Sequence, residues 1–301
     1  MRRNVLVIDD VKEQAEGLSK SLNAQIQGCT FEAYYLESQI LDAIENRFYS
    51  LAIVDIRMDK YEIDGIEIVK KIFEYNPLAK VIIVSAFKGE YFGQLKELLL
   101  SGKVIDVQDK ESISVWVPKL KLVIDNYLGE LDKDPSEINN ALLQMYSETK
   151  NEKDTYIKGE RFEHFISLLF QSIGFNKVEK RVKDTSLNEV DLIIRNDIED
   201  VFINKFGKYI LIECKNKPKE SVSKNDFIIF YSKLKNTNGL AEFGIIATTG
   251  KIARTVFLEA MRESGDSKKV LFLSNFELIK LIKAEDKLFT FKQIIDDQVK
   301  G

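Results

Sequence analysis

The sequence predicts an α/β protein in two parts: an N-terminal doubly wound parallel sheet, then a helical connector and a second α/β domain. Three observations predict it. Over the first third, unbroken apolar runs (VLVI at 5–8, LAIVD at 51–55, VIIVS at 81–85, VIDV at 104–107) alternate with amphipathic stretches, as expected of strands covered by helices on both faces. Residues 129–155 then turn polar and acidic. Beyond them strand and helix patterns resume, and 301 residues is the length of about two ordinary domains.

The first run ends in Asp9 and Asp10 and leads into a helical stretch near 12–22; the run at 51–55 ends in Asp55, and that at 81–85 in Ser85. Lys110 follows the last run closely. The βαβαβ order predicts right-handed crossovers, and the closing helix, 113–128, sets Leu120, Val123, Ile124, Tyr127 and Leu128 on one stripe. In the connector, Asp134-Pro135-Ser136-Glu137 supplies an N-cap, a proline at the first helical position and an acid in the first turn, predicting a helix. Its Ile138, Ala141, Leu142, Met145 and Tyr146 form a stripe narrow enough for a docking or dimer seam.

The second domain opens with a helix over 156–173, whose Phe162, Phe165, Ile166, Leu169, Phe170 and Ile173 make a broad apolar face. Strands are predicted at 189–195 and 208–216, with VFIN (201–204) between them a further short strand. A helix near 224–236, a strand at 243–249, a helix from about 251, a strand at 270–274 and closing helices complete the order. The expected boundaries are 1–128, 129–155 and 156–301.

Composition narrows the function classes. Hydrophobic residues at 45%, charged residues at 31%, 4 prolines and 15 glycines exclude long disorder and fibrous repeats. Two distant cysteines, Cys29 and Cys214, and the single His164 exclude a disulfide scaffold and a Cys/His zinc site. The N-terminal apolar run is too short for a signal peptide and no stretch approaches 18 apolar residues, so a cytoplasmic protein with no membrane partner is expected.

The formal charge of −4 conceals a division. Residues 1–128 carry 16 lysines and arginines against 20 acids, residues 129–155 carry 3 against 7, and residues 156–301 carry 25 against 21. A basic last domain suits a polyanionic substrate, with Lys177, Lys180, Arg181, Lys183, Lys215, Lys217, Lys219 and Lys224 clustered in sequence. Lys183, Lys217, Lys219 and Thr249 are the candidate nucleic-acid contacts; Thr248, Thr249 and Gly250 precede a helix and suit either a phosphate contact or an ordinary cap.

Two constellations carry chemistry. In an open parallel sheet the carboxyl ends of the strands meet in a crevice, so Asp9, Asp10 and Asp55 should converge there. Three carboxylates repel unless a cation joins them, and a hard divalent ion such as Mg²⁺ takes oxygen ligands. In the second domain, the period of two in KYILIECKN puts Glu213 and Lys215 on one face. Asp191 in EVDLIIR lies beside Glu213 if the two strands pair. Two carboxylates and an adjacent lysine are a minimal kit for metal-dependent phosphodiester hydrolysis; a solvated cross-strand ion-pair ladder is the alternative.

The Asp pair, Asp55, Ser85 and Lys110 resemble the flavodoxin-like receiver domain of two-component response regulators over residues 1–128. The resemblance implies that Asp9, Asp10 and Asp55 hold Mg²⁺, that Asp55 accepts a phosphoryl group, and that Ser85 and Lys110 bind it. Departures are Glu111 for the usual proline after the lysine, Val107 at the aromatic switch position, and Asp59 where a proline often follows Met58. The helix acid Glu163, Asp191 and the Glu213-Cys214-Lys215 run resemble the PD-(D/E)xK nuclease superfamily, more narrowly its Mrr-like restriction endonuclease group, over residues 156–265. That resemblance implies Asp191 and Glu213 as metal ligands for Mg²⁺ or Mn²⁺, with help from the Cys214 carbonyl, Lys215 as an orienting cation, and Glu163 as an additional acid.

Together these imply a response regulator phosphorylated by a sensor histidine kinase or another phosphodonor. Its output would be a nuclease acting on nucleic acid, with DNA favoured and RNA left open, as a homodimer or higher homo-oligomer, and signal control of a nuclease suggests defence against foreign DNA. Two alternatives stay open: a non-catalytic nucleic-acid-binding regulator, and a nuclease whose receiver is a constitutive dimerisation module.

Overall fold

The computed structural model describes residues 3–47, 49–86, 91–133, 136–175, 177–183, 189–237, 239–263, 265 and 268–300. The chain divides into two compact units, Met1–Pro135 and Ser136–Gly301.

The first unit runs β1 (Arg3–Ile8), α1 (Lys12–Gln25), β2 (Cys29–Tyr34), α2 (Glu37–Asn46), β3 (Leu51–Asp55), α3 (Gly65–Tyr75), β4 (Lys80–Ser85), α4 (Phe92–Leu100), β5 (Val104–Asp109) and α5 (Ile113–Lys133). Its five strands pair in parallel in the order β2-β1-β3-β4-β5. Alternation explains the unbroken apolar runs, because both faces are covered. Leu6, Ile8, Val54 and Ile83 pack with Ile40, Ile66 and Ile72 of α2 and α3, while Val5, Val7, Ile53 and Val84 pack with Leu18, Leu22, Leu120 and Ile124 of α1 and α5. The chain leaves β1 toward β2 on one side and β3 on the other, so β1 and β3 flank the switch point, and their carboxyl ends carry the predicted acids.

The sequence reading passed over β2. Its residues alternate, with Cys29 and Phe31 buried and Thr30 and Glu32 partly exposed, because β2 is an edge strand and lacks the continuous apolar signal.

The second unit runs α6 (Ser136–Asn151), α7 (Thr155–Ile173), β6 (Lys177–Lys183), β7 (Glu189–Arg195), a 3₁₀ turn (Ile203–Phe206), β8 (Tyr209–Lys215), β9 (Ser221–Val222), α8 (Lys224–Lys235), β10 (Ala241–Thr248), β11 (Lys251–Ile252), α9 (Arg254–Arg262), β12 (Lys269–Leu273), α10 (Asn275–Lys283) and α11 (Lys287–Lys300). The main sheet is ordered β12-β10-β8-β7-β6, with β8, β10 and β12 parallel and β7 antiparallel to both neighbours. Buried Phe162, Phe165, Leu169 and Phe170 line the inner face of α7, which packs on the sheet at β7 and β8. Leu211 and Ile246 of the sheet join Phe227, Phe230, Leu234 and Val256 of α8 and α9 in a second core.

Three expectations need correction, and one strand, β6, was not expected. VFIN is not a strand: Asp200 Oδ1 accepts the N–H groups of Phe202 and Ile203, each at 3.0 Å, and this cap closes the 3₁₀ turn with Ile203 buried. Residues 251 and 252 pair with β9, so the helix expected there starts at Arg254. The charged segment KVEKRVK forms β6 because it is a sheet edge, where one side needs no apolar partner. The stripe on α6 is no open seam: Leu142 and Tyr146 are buried within the second unit, and Tyr146 Oη donates to Asn275 Oδ1 at 2.9 Å. The predicted cap at Asp134 and Pro135 lies outside the described residues. Among the described residues, no helix is long and apolar enough to cross a membrane.

Candidate functional site

In the first unit the predicted acids converge. Asp9, Asp10 and Asp55 are all buried, and each offers a carboxylate oxygen within 4.8 Å of the others. Lys110 Nζ donates to Asp9 Oδ2 at 2.6 Å and to Asp55 Oδ2 at 2.7 Å. The other Asp9 oxygen accepts the N–H of Val11 at 2.9 Å, which anchors that acid to the turn after β1. Burial raises the Asp55 carboxyl above its ordinary range; the Lys110 ammonium opposes this without cancelling it, and the Asp9 charge adds to the rise. For Lys110, burial works against the charge, but bonds to Asp55 and Asp9 outweigh it and hold the ammonium above its ordinary value.

Ser85 closes β4 and is fully buried, one residue beyond Val84, the register partner of Asp55. Val107 is partly buried against the α2–α4 core, and Glu111 forms an exposed ion pair with Lys119. Two residues at this site escaped the sequence reading. Lys60 Nζ donates to the Asp10 carbonyl at 3.0 Å. Gly65 opens α3 so close to β3 that a β-carbon there would lie 2.1 Å from the Asp55 carbonyl oxygen, so only glycine fits.

In the second unit, antiparallel pairing of β7 with β8 carries Leu192 opposite Ile212 and brings Asp191 to the Glu213 end of β8. Asp191 Oδ2 accepts the backbone N–H of Cys214 at 2.6 Å. Glu213 is buried; its Oε1 accepts from Lys215 Nζ at 2.8 Å and its Oε2 from Lys233 Nζ at 3.0 Å. Burial, then the charge of Glu213, pushes the Asp191 carboxyl up to about 7, with Glu163 of α7 contributing in the same direction. Burial would lower Lys215, but the charge and hydrogen bond of Glu213, with Asp191, outweigh it and raise the ammonium. Lys215 is therefore cationic here.

The proposed nucleic-acid contacts fare unevenly. Lys217 and Lys219 are exposed, Lys217 beside Glu220 at 3.7 Å. Thr249 is not a surface contact: it is buried, and its hydroxyl donates to Asn216 Oδ1 at 2.8 Å. Thr248 likewise donates to the Lys215 carbonyl at 2.8 Å, so both threonines tie the ends of β10 and β8 together. The side chains of Lys177, Lys180, Arg181 and Lys183 lie outside those described. Lys233 was missed because it stands in a lysine-rich helix end with no motif of its own.

Comparison with known proteins agrees with this division. A family model for the response regulator receiver domain matches residues 5–99, and one for a restriction endonuclease domain (Mrr_cat) matches residues 155–282. The chain joins a response regulator receiver domain to a restriction-endonuclease-like domain. No curated protein matches the chain. The solved structures similar to it include a CheY-like receiver domain from Methanospirillum hungatei (21% identity over 43% of this chain and 99% of that chain, TM-score 0.37). They also include the receiver domain of Francisella response regulator 1452 (23%, 42% and 98%, TM-score 0.33). A third is the Thermotoga maritima response regulator TrrA in complex with Mg²⁺ and BeF (24%, 40% and 98%, TM-score 0.32).

Both domain families typically use a divalent metal. The receiver domain's residues fit one: three buried carboxylates bring hard oxygen donors together, and the Lys110 ammonium pairs with only two of them, Asp9 and Asp55. In the endonuclease-like domain Asp191 and Glu213 supply the same donor type, but both oxygens of Glu213 already face lysine ammoniums.

Proposed function

We propose that the chain is a phosphorylation-controlled response regulator whose output is Mg²⁺-dependent hydrolysis of phosphodiester bonds in nucleic acid, DNA before RNA. The observation that carries this reading is the convergence of Asp191, Glu213 and Lys215 at the β7–β8 pair of a restriction-endonuclease-like domain.

In the receiver domain, a carboxylate oxygen of Asp55 attacks the phosphorus of a donor such as a phosphohistidine kinase, the bond to the donor atom breaks, and an aspartyl phosphate forms. Asp9, Asp10 and Asp55 would hold the ion. Lys110, already between Asp9 and Asp55, meets the charge that spreads over the transferring oxygens, and Ser85 at the end of β4 lies beside the nucleophile. In the nuclease domain Asp191 and Glu213 would hold the divalent ion, and Mn²⁺ suits the same ligands. Such an ion, when bound, lowers the pKa of water and offsets charge on the scissile phosphate. Lys215, held cationic, orients the attacking water and meets the developing negative charge; Glu163 adds a further acid beside Asp191. Phosphorylation would control self-association of the chain, since cutting both strands of a duplex needs two sites. Signal control of a nuclease suits defence against foreign DNA.

The test is cleavage of plasmid DNA and of RNA with Mg²⁺, by the native chain and by Lys215→Ala and Glu213→Ala, with and without a small phosphodonor. Cleavage by the native chain alone supports the reading. No cleavage under any of these conditions, with nucleic acid still bound, would establish a non-catalytic binding regulator instead. Light scattering with and without beryllofluoride tests the regulatory step: unchanged mass and unchanged cleavage would reduce the receiver to a constitutive module.

A further inference from the structure

Lys233 comes from α8, outside the strands that carry Asp191, Glu213 and Lys215. Its place follows from how α8 is built. A capping box between Ser223 and Asp226 fixes the helix start, and Phe227, Phe230, Tyr231 and Leu234 bury its inner face. Lys233 stands three residues after Phe230 and next to Leu234, so it lies at the margin of that face. Gly244 of β10 allows the close approach: a β-carbon there would lie 2.8 Å from the Phe230 ring. The result is a lysine side chain only 17% exposed, with its ammonium 3.0 Å from Glu213 Oε2.

The two acid sites of the chain therefore differ in a way that bears on metal loading. In the receiver, the Lys110 ammonium takes one oxygen each of Asp9 and Asp55 and leaves the Asp10 carboxylate without an ammonium contact from it. In the nuclease domain, Glu213 alone has an ammonium on each oxygen, at 2.8 and 3.0 Å. An ammonium at that distance from a carboxylate oxygen repels a divalent ion approaching the same oxygen, and in a poorly solvated site the repulsion is little screened. Resting on the metal-site reading above, we propose that Lys233 is a positioning residue that holds Glu213 and competes with the divalent cation for it. Lys215 sits on one oxygen and Lys233 on the other, so an ion approaching Glu213 displaces an ammonium whichever oxygen it takes. The displaced ammonium then stands next to the site, where a phosphodiester would draw it off Glu213.

The test is Mn²⁺ binding to the full chain, without nucleic acid, by titration calorimetry. The binding event abolished by Asp191→Asn belongs to this site; the receiver's event persists in that variant. Lys233→Met and Lys233→Gln remove the competing charge and are expected to bind Mn²⁺ there about tenfold more tightly, a change of ~1.4 kcal/mol. Lys233→Arg keeps the charge and is expected to keep the native affinity. A structural role alone would weaken binding in the uncharged variants or leave it unchanged, and either result overturns the proposal. If no chain shows an Asp191-dependent event, the metal-site reading itself fails. An event present in all chains but indifferent to Lys233 leaves that reading standing and removes only Lys233 from it.

Discussion

Asp191 on β7 takes the backbone N–H of Cys214 on β8, at 2.6 Å from its Oδ2. The bond fixes this carboxyl against the strand that carries Glu213 and Lys215, in a place buried enough to raise it to about 7.

A raised carboxyl has a definite effect on stability. The folded chain binds this proton more tightly than the unfolded chain, whose aspartates titrate near 3.9. Stability is therefore lost as pH rises from the ordinary carboxylate range through about 7. Asp191→Asn keeps an acceptor for the Cys214 N–H and removes the charge. It should melt several degrees above the native chain at pH 8 and close to it at pH 4, in metal-free buffer. Since a metal ligand must be deprotonated, Mn²⁺ affinity at this site should climb about tenfold per pH unit below ~7 and level off above it.

Lys110 bridges two buried acids, so Lys110→Ala leaves Asp9 and Asp55 facing each other without a cation. Breaking a buried pair on one side costs roughly 3–5 kcal/mol. Thermal unfolding in a chelator should show the receiver domain destabilised to that degree. Saturating Mg²⁺ should raise the melting point of this variant more than that of the native chain, because it supplies the missing charge. Equal gains in the two chains would show that the ion does not sit among these acids.

Gly65 tests how tightly the start of α3 is held against the nucleophile's strand. An alanine β-carbon would lie 2.1 Å from the Asp55 carbonyl and 2.5 Å from the Ile56 α-carbon, backbone atoms that cannot turn aside. Gly65→Ala should cost at least the ~1–3 kcal/mol usual for overpacking. Phosphodonor labelling of Asp55 should fall with it, because the shift is delivered to the end of β3.

Gly244→Ala applies the same logic in the second unit, but against a ring that has some freedom to move. A loss of about 1–3 kcal/mol is expected in chemical denaturation. Displacing α8 also moves Lys233, so Mn²⁺ affinity at Asp191 and Glu213 should change even though no ligand has been altered.

Much of the fold was legible where local period and local chemistry coincide. The central strands β1, β3 and β4 declare themselves because both faces are buried, and α7 because its phenylalanines recur at helical spacing. The edge strands β2 and β6 did not, since an edge needs apolar residues on fewer sides, and Cys29-Phe31 or Val178-Val182 is too sparse a signal beside the charges. VFIN misled for the opposite reason: its apolar residues suit a strand, but Asp200 caps them into a 3₁₀ turn. Thr249 looked like a phosphate contact because it precedes a helix, and only burial reveals that its hydroxyl serves Asn216.

The sequence by itself showed Asp9, Asp10 and Asp55 where apolar runs stop, and the period of two put Glu213 and Lys215 on one face with Asp191 opposite if the strands pair, so all six could be named from it. Strand ends are local: they follow from where an apolar run stops, and topology then delivers them to a common edge. Only the tertiary structure decided what surrounds those acids. Lys60, Gly65, Lys233 and Gly244 belong to other segments, and they reach the sites through close approaches of backbone and ring that leave no periodic trace in the chain. Whether a buried carboxylate meets one ammonium, as Asp55 does in Lys110, or two, as Glu213 does in Lys215 and Lys233, is a matter of packing. In a poorly solvated site that count governs how readily a divalent ion enters.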